Sequence, residues 1–263
     1  MAKPVFPMDL SKARILISND DGIHAPGLKI LEKVVRKLCK DVWVMAPEHE
    51  NSGAGHSLSL RQPIRMRKVS GKRYACDGTP TDCVLLAINH LLKEDRPTLV
   101  LSGINRGANL GEDVHYSGTV AAAMEAILLG VPAIALSLSV PWGQKAHWPT
   151  AERHTADIIR KLVKVGWPSD VLMNVNFPHV ADPARVLGVK SARQGKRKIG
   201  DTIVQSRDPR GVPYFWLGDT KTGRVPAKGT DLATIISGYI SVTPIGINMT
   251  NRPALTALKR ALG

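Results

Sequence analysis

Short apolar runs and amphipathic stretches take turns along the first two thirds of the chain. Arg14-Ile15-Leu16-Ile17-Ser18 is too short and apolar for a helix and is closed by a polar loop, which predicts a buried strand. Pro26 then opens a helix with Leu28, Leu31, Val34, Val35 and Leu38 at helical spacing. Val42–Ala46 predicts a second buried strand ended by Pro47, and weaker strands follow around Ile64–Val69 and Arg73–Cys76. Thr79-Pro80-Thr81-Asp82 reads as a helix start, with Thr as cap, Pro at the first position and a carboxylate in the first turn. Its helix runs to about Leu92. Strands at Thr98–Ser102, Ala133–Ser137 and Val171–Val175 alternate with helices over Thr119–Leu129, ended by Gly130, and about Thr150–Val165.

Strands apolar on both faces, alternating with helices, imply a mostly parallel sheet covered on two sides. The expected fold class is α/β, an open doubly wound core over residues 1–180. A closed barrel is disfavoured because the alternation gives out near residue 180. Beyond that point Arg185–Lys198 carries six basic residues and no acidic one, and Tyr214–Leu217 and Tyr239–Val242 read as strands of hairpins in turn-rich sequence. Residues 181–263 are therefore expected to form an appended extension, not a second α/β unit.

Composition narrows the class. At 263 residues and 43% hydrophobic the chain can bury a core, which excludes disorder, and no short repeat or heptad supports a fibrous class. The net charge of +14 suggests polyanions without saying which. Residues 1–140 hold 17 basic and 14 acidic side chains, whereas residues 141–263 hold 19 and 8, so the excess belongs to the C-terminal half. Cys39, Cys76 and Cys83 have no metal-type spacing and read as reduced, buried thiols of a cytoplasmic protein. Thr119–Trp142 is apolar enough to imitate a membrane span, but Glu125 and the Gly130-Val131-Pro132 break predict helix, turn and strand. The N-terminus lacks the apolar run of a signal peptide. A soluble protein without membrane association is expected.

Ligands of open α/β sheets bind beyond the carboxyl ends of the strands. Three polar loops should open there: Ser18-Asn19-Asp20-Asp21-Gly22, Asn51-Ser52-Gly53-Ala54-Gly55 and Gly103–Asn109. Adjacent carboxylates repel, and a divalent cation removes that penalty. Asp20 and Asp21, with oxygens from Ser52 and Asn105, would form an all-oxygen site suited to Mg, Mn or Ca. The plainer alternative is that Asp20 caps the next helix and Asp21 is solvated. Tyr116-Ser117-Gly118-Thr119 opens directly into a helix and would present N–H groups to an anion, unless Ser117 is an ordinary cap. No Walker motif or G-x-G-x-x-G fingerprint is present, which disfavours nucleotide switches and nicotinamide enzymes. A cation beside a phosphate cradle suggests metal-assisted phosphoryl hydrolysis, with Asn109 and Ser117 holding phosphate oxygens.

At these residues the sequence resembles the SurE family, the survival-protein 5′/3′-nucleotidases. The resemblance rests on SNDDGIHAPGL at 18–28, NSGAGHSLSL at 51–60, GTPTDCV at 78–84, SGINRGANLGEDVHYSGTVAAAMEA at 102–126 and GTDLATIISGYISVTPI at 229–245. It implies a Rossmann-like core and a divalent-metal-dependent phosphomonoesterase acting on nucleoside 5′- and 3′-monophosphates, sometimes also on polyphosphate. By position, Asp20, Asp21, Ser52 and Asn105 match the family's ligands for one Mg or Mn ion per subunit, the two aspartates being the catalytic pair. Asn109, Ser117, Gly118 and Thr119 match its phosphate-contacting region. The resemblance further implies a C-terminal hairpin and helix exchanged between subunits of a homodimer or homotetramer. Two departures stand out. About twelve residues precede the first strand, expected to be a mobile tail over 1–12, and the loop before Ser52 reads Glu48-His49-Glu50-Asn51 where a more basic sequence is expected.

His24, His56 and His115 lie in the matched blocks as either titrating or purely structural groups. Attack by water is preferred over a covalent aspartyl-phosphate, because the metal needs both carboxylates. A polyphosphatase using the same site is the nearest alternative. A nucleic-acid-binding protein built on Arg185–Lys198 is the alternative from another class, disfavoured because that segment lacks interleaved aromatics and any binding module.

Overall fold

The computed structural model describes residues 6–197, 202–218 and 225–263. The expected alternation is realised as β1 (Arg14–Ser18), α1 (Pro26–Val35), β2 (Asp41–Pro47), β3 (Met66–Ser70), β4 (Arg73–Cys76), α2 (Pro80–Leu86), β5 (Leu99–Arg106), α3 (Gly118–Leu128), β6 (Ala133–Leu138), α4 (Trp148–Val165) and β7 (Val171–Phe177). The C-terminal part adds β8 (Val189–Ser191), β9 (Thr202–Arg207), β10 (Pro213–Gly218), α5 (Asp231–Ile236), β11 (Ile240–Gly246) and α6 (Arg252–Leu262). Local chemistry sets the helix starts. Thr79 caps α2 in a reciprocal box, its hydroxyl accepting from Asp82 N–H at 3.1 Å while Asp82 Oδ2 accepts from Thr79 N–H at 2.9 Å. Ser117 caps α3 by accepting from Val120 N–H at 3.1 Å.

Nine strands form one sheet in the order β3-β4-β2-β1-β5-β6-β7-β11-β8. From β4 to β7 every neighbour is parallel, and β3 and β11 each run antiparallel to the strand they join. α1 and α4 cover one face over Ile15, Ile17, Leu28, Leu31, Leu101, Ile158 and Phe177. α2 and α3 cover the other over Leu16, Val84, Val100, Val120, Ala123 and Ala135. This is a doubly wound α/β fold. The strand order reverses between β1 and β5, so a crevice lies beyond the ends of those two strands. A Cβ on Gly27 would overlap the Ile104 carbonyl, so glycine lets α1 start hard against β5 there.

Three expectations are revised. Tyr214–Leu217 does lie in a hairpin, β9–β10, but Tyr239–Val242 does not: β11 pairs with β7 from Ser241↔Asn176 to Gly246↔Val171. Its apolar side chains explain this, since Ile240 and Val242 join one core face and Ile245 the other. The extension thus completes the sheet with β8 and β11. Residues 6–12 are not a loose tail: Phe6, Met8 and Leu10 pack on the core, Phe6 lies 4.7 Å from Trp167, and Met8 N–H donates to Val163 O at 3.2 Å. Residues 1–5 of that expected tail, and Lys198 of the basic segment, lie outside the described residues. Lastly, β5 continues through Arg106 rather than ending at Ser102, carrying Asn105 on a strand.

The apolar Thr119–Trp142 stretch resolves into α3, a turn and β6. Among the described residues no helix is long and apolar enough to cross a membrane. Cys39, Cys76 and Cys83 are buried free thiols.

Candidate active site

Asp20 and Asp21 follow the end of β1 in a turn shaped by Asn19, whose buried amide donates to Gly22 O at 3.0 Å. Asn51 N–H donates to Asp20 O at 2.8 Å, which brings the loop after β2 to the same edge. Arg106 N–H donates to Asp21 Oδ2 at 3.2 Å, which brings the end of β5 there. α3 arrives from the other side: Thr119 Oγ1 donates to Asp20 Oδ1. A Cβ on Gly118 would stand 2.7 Å from Asp20 Cβ and 3.0 Å from its Oδ2, so only glycine allows this approach. All three polar loops and the start of α3 therefore converge on the aspartate pair.

The pair is electrostatically uncomfortable. Burial pushes the Asp20 carboxyl up, and the hydrogen bond from Thr119 offsets part of that. Asp21 is pushed up to about 6, by burial first and by the neighbouring Asp20 charge second. Glu50 adds negative charge, and its Oε1 accepts from the Ser52 hydroxyl at 2.8 Å. Asn105 Nδ2 donates to Gly107 O at 3.0 Å, leaving its Oδ1 without a hydrogen bond among the described residues. Two adjacent carboxylates, with Ser and Asn on the segments that converge on them, could offer oxygen donors to a hard divalent cation. Among the described residues no three His, Cys, Asp or Glu gather as a metal cluster, so a cation here would rely on the Ser or Asn oxygens as well.

The phosphate-side residues divide. Ser117 donates its N–H to Asp113 O at 3.1 Å and commits its hydroxyl to the helix cap. The Thr119 hydroxyl donates to Asp20, which leaves backbone N–H groups of the Ser117-Gly118-Thr119 turn as its donors towards an anion. The start of α3 is aimed at that carboxylate, so the helix dipole and the hydroxyl act on it first. Asn109 is buried and anchored, its Nδ2 donating to Ser137 Oγ on β6 at 2.8 Å. His24, His56 and His115 are all exposed, and His56 Nε2 lies 2.9 Å from the buried Glu125 of α3.

Sequence reasoning missed Ser137, Asn174 and Asn176, which hold Asn109, and Glu125, which holds His56. Asparagines two apart in an otherwise apolar strand were the available signal. It also left the basic segment unplaced. Gln194 Nε2 donates to Gly111 O at 2.8 Å, and Arg197 Nη2 lies 3.2 Å from Asp113 Oδ2. Asp231 joins the two sides, accepting from Gly111 N–H and Gly195 N–H at 2.8 Å each. The end of that segment is thus docked on the turn that leads into α3.

The family model described as survival protein SurE matches residues 15–201. The chain belongs to the SurE family. A protein of Paramagnetospirillum magneticum named 5′-nucleotidase SurE is 57% identical over 253 residues, covering 96% of this chain and 97% of that one. Another of the same name from Parvibaculum lavamentivorans is 52% identical, covering 95% and 91%. Among solved structures, the SurE protein from Aquifex aeolicus superposes with a TM-score of 0.83 at 39% identity, over 95% of this chain and all of that one. The blocks around Asp20, Ser52 and Asn105 to Thr119 all lie inside the stretch matched by the SurE model.

Proposed function

We propose that this SurE-family protein is a divalent-metal-dependent phosphomonoesterase that hydrolyses nucleoside 5′- and 3′-monophosphates to nucleoside and phosphate. The observation that carries the reading is the Asp20–Asp21 pair, Asp20 buried and Asp21 half-buried, with both carboxyls raised, at the strand-order reversal and against the start of α3. Asp20, Asp21, Ser52 and Asn105 would hold one Mg or Mn ion. When bound, that ion polarises a phosphate oxygen and lowers the pKa of a water. Either Asp20 or Asp21 would orient the attacking water. Asn109 and the first N–H of α3, at Gly118, supply donors to the phosphate oxygens as charge develops. Ser117 and Thr119 hold that helix start and Asp20 in place. The two relatives named 5′-nucleotidase SurE support the nucleotide as substrate.

The test is AMP hydrolysis with Mn²⁺ or Mg²⁺, against 3′-AMP and polyphosphate under the same conditions. Asp20→Asn is expected to lose activity by about 10³-fold or more while keeping its melting transition. Full activity in that variant, or in excess chelator, overturns the reading. Faster turnover of polyphosphate than of either mononucleotide would make the chain a polyphosphatase using the same residues.

We also propose a cytoplasmic homodimer or homotetramer. Its support is physical: β9–β10 is a two-stranded sheet of its own and α6 buries none of its residues, so each needs a partner surface.

A further inference from the structure

Asparagine is a costly choice inside a buried strand, because its amide gives up water and its short side chain reaches few partners. β7 nevertheless carries two on one face, Asn174 and Asn176, both fully buried. Both address the backbone of a single residue, Asn109. Asn176 Oδ1 accepts from Asn109 N–H at 2.9 Å, and Asn176 Nδ2 donates to Asn109 O at 3.0 Å. Asn174 Nδ2 donates to the same carbonyl at 2.8 Å. With the bond from Asn109 Nδ2 to Ser137 Oγ, both backbone groups and one end of the side-chain amide are fixed.

The clamp acts on a residue in irregular chain, whose neighbours are tied by Gly107 N–H donating to Leu138 O at 2.9 Å and by Leu110 packing on Leu232 and Ile235. Residues 107–110 belong to no helix or strand, and a free loop there would leave Asn109 mobile. The clamp also shares its level in the sheet with a candidate metal ligand: Asn105 pairs with Ser137, Ser137 with Asn176, and Asn176 with Ser241. Asn109 is thereby fixed relative to Asn105 through adjacent strands. The layer lowers stability. Asn174 Oδ1, Ser241 Oγ and Thr243 Oγ1 have no hydrogen-bond partner among the described residues, at about 1–3 kcal/mol for each such group. Valine or isoleucine at these positions would fill a β-sheet without that cost.

We propose that Asn174 and Asn176, with Ser137, are positioning residues that fix the Asn109 amide where it meets the substrate's phosphate. The inference rests on the phosphatase reading above. It predicts that Asn176 acts through Asn109 and not through the metal or the fold.

The test combines AMP hydrolysis, inhibition by inorganic phosphate, Mn²⁺ half-saturation and thermal melting for Asn176→Ala, Asn109→Ala and the double variant. Asn176→Ala is expected to lower kcat/KM by roughly 10- to 100-fold and to weaken phosphate inhibition, with Mn²⁺ half-saturation unchanged. The double variant should be no less active than Asn109→Ala alone, because the two act as one unit. Losses that multiply, or a loss that tracks only a raised Mn²⁺ requirement, overturn the proposal. If Asn176→Ala does not fold, Ser137→Ala removes only the acceptor for the Asn109 side chain and carries the same comparison. Full activity in Asn109→Ala with inactive Asp20→Asn overturns the clamp and leaves the phosphatase standing. An active Asp20→Asn overturns the phosphatase itself.

Discussion

The Thr119 hydroxyl donates to the Asp20 carboxylate, tying the first turn of α3 to the end of β1. That bond favours the ionised carboxylate against a burial that disfavours it. Thr119→Val keeps the shape and removes the donor. The expected outcome is a raised Mn²⁺ requirement, about 10-fold, with the melting temperature lowered by no more than a few degrees. Thr119→Ser should restore the requirement. A valine variant with unchanged metal dependence would show that the hydroxyl does nothing for Asp20.

Gly118 tests the same contact sterically. A methyl group there meets Asp20 Cβ at 2.7 Å and Pro80 Cγ at 3.1 Å, and neither the buried carboxylate nor the α2 start can retreat. Gly118→Ala is expected to cost about 1–3 kcal/mol of stability and most of the activity. Denaturant midpoints and AMP turnover measured on the same preparation check both. Activity near the unsubstituted rate would mean that Asp20 has more room than this packing gives it.

Much of this was legible in the sequence, for a physical reason. Burial on both faces makes parallel strands continuous apolar runs, and caps such as Thr79 and Ser117 act on neighbours three residues away. Both signals are local. What escaped was set at long range. The bond from Thr119 to Asp20 joins residues 99 apart in the chain. Tyr239–Val242 looked like a hairpin strand because an apolar run does not state which strand it will pair with, and β11 found β7. Asn174 reads from sequence only as a strand position and Asn176 falls just beyond the expected strand end, their partner being 65 and 67 residues away.

The loop carrying Ser52 is held by contacts to α3 and the turn before it. His56 Nε2 lies 2.9 Å from Glu125 Oε2, and Gly55 N–H donates to Tyr116 O at 3.1 Å. Glu125→Ala should release this loop, leaving His56 without its partner. The expected signs are trypsin cleavage after the exposed Arg61 that is several-fold faster and AMP turnover reduced about 10-fold. Glu125→Gln can still bond His56 and should resist cleavage. Equal cleavage rates in all three proteins would detach the His56 contact from loop order.

Asp41 makes stability sensitive to acid. Burial raises its carboxyl, but hydrogen bonds from Lys72, Arg14 and Trp43 at 2.7, 2.6 and 2.9 Å outweigh that and hold it below the usual range. A carboxyl lowered by folding contributes stability above its unfolded pKa and loses it as pH falls through the folded value. Asp41→Asn is therefore expected to destabilise by about 1 kcal/mol at pH 7, with the gap to the unsubstituted protein closing below about pH 4. Urea midpoints across pH 3–7 check the sign. A gap that widens in acid would contradict it.

The β9–β10 hairpin argues for a second copy of the chain. Phe215, Trp216 and Leu217 are 60%, 64% and 76% exposed, on both faces of a two-stranded ribbon that is marginal alone. α6 presents Leu255, Leu258 and Leu262 at helical spacing, and an isolated helix of 11 residues is marginal in water. Two elements that are marginal alone, separated in sequence by α5 and β11, are both stabilised if a symmetric partner covers them. Phe215→Asp with Leu217→Asp places charge on that surface and should shift the sedimentation mass towards one subunit. Deleting residues 252–263 should do the same without touching the sheet. Because Asp20, Asp21 and Asn109 are assembled within one chain, AMP turnover per site should fall by less than about 10-fold. A substituted hairpin that sediments like the unsubstituted protein would assign these side chains to some other partner.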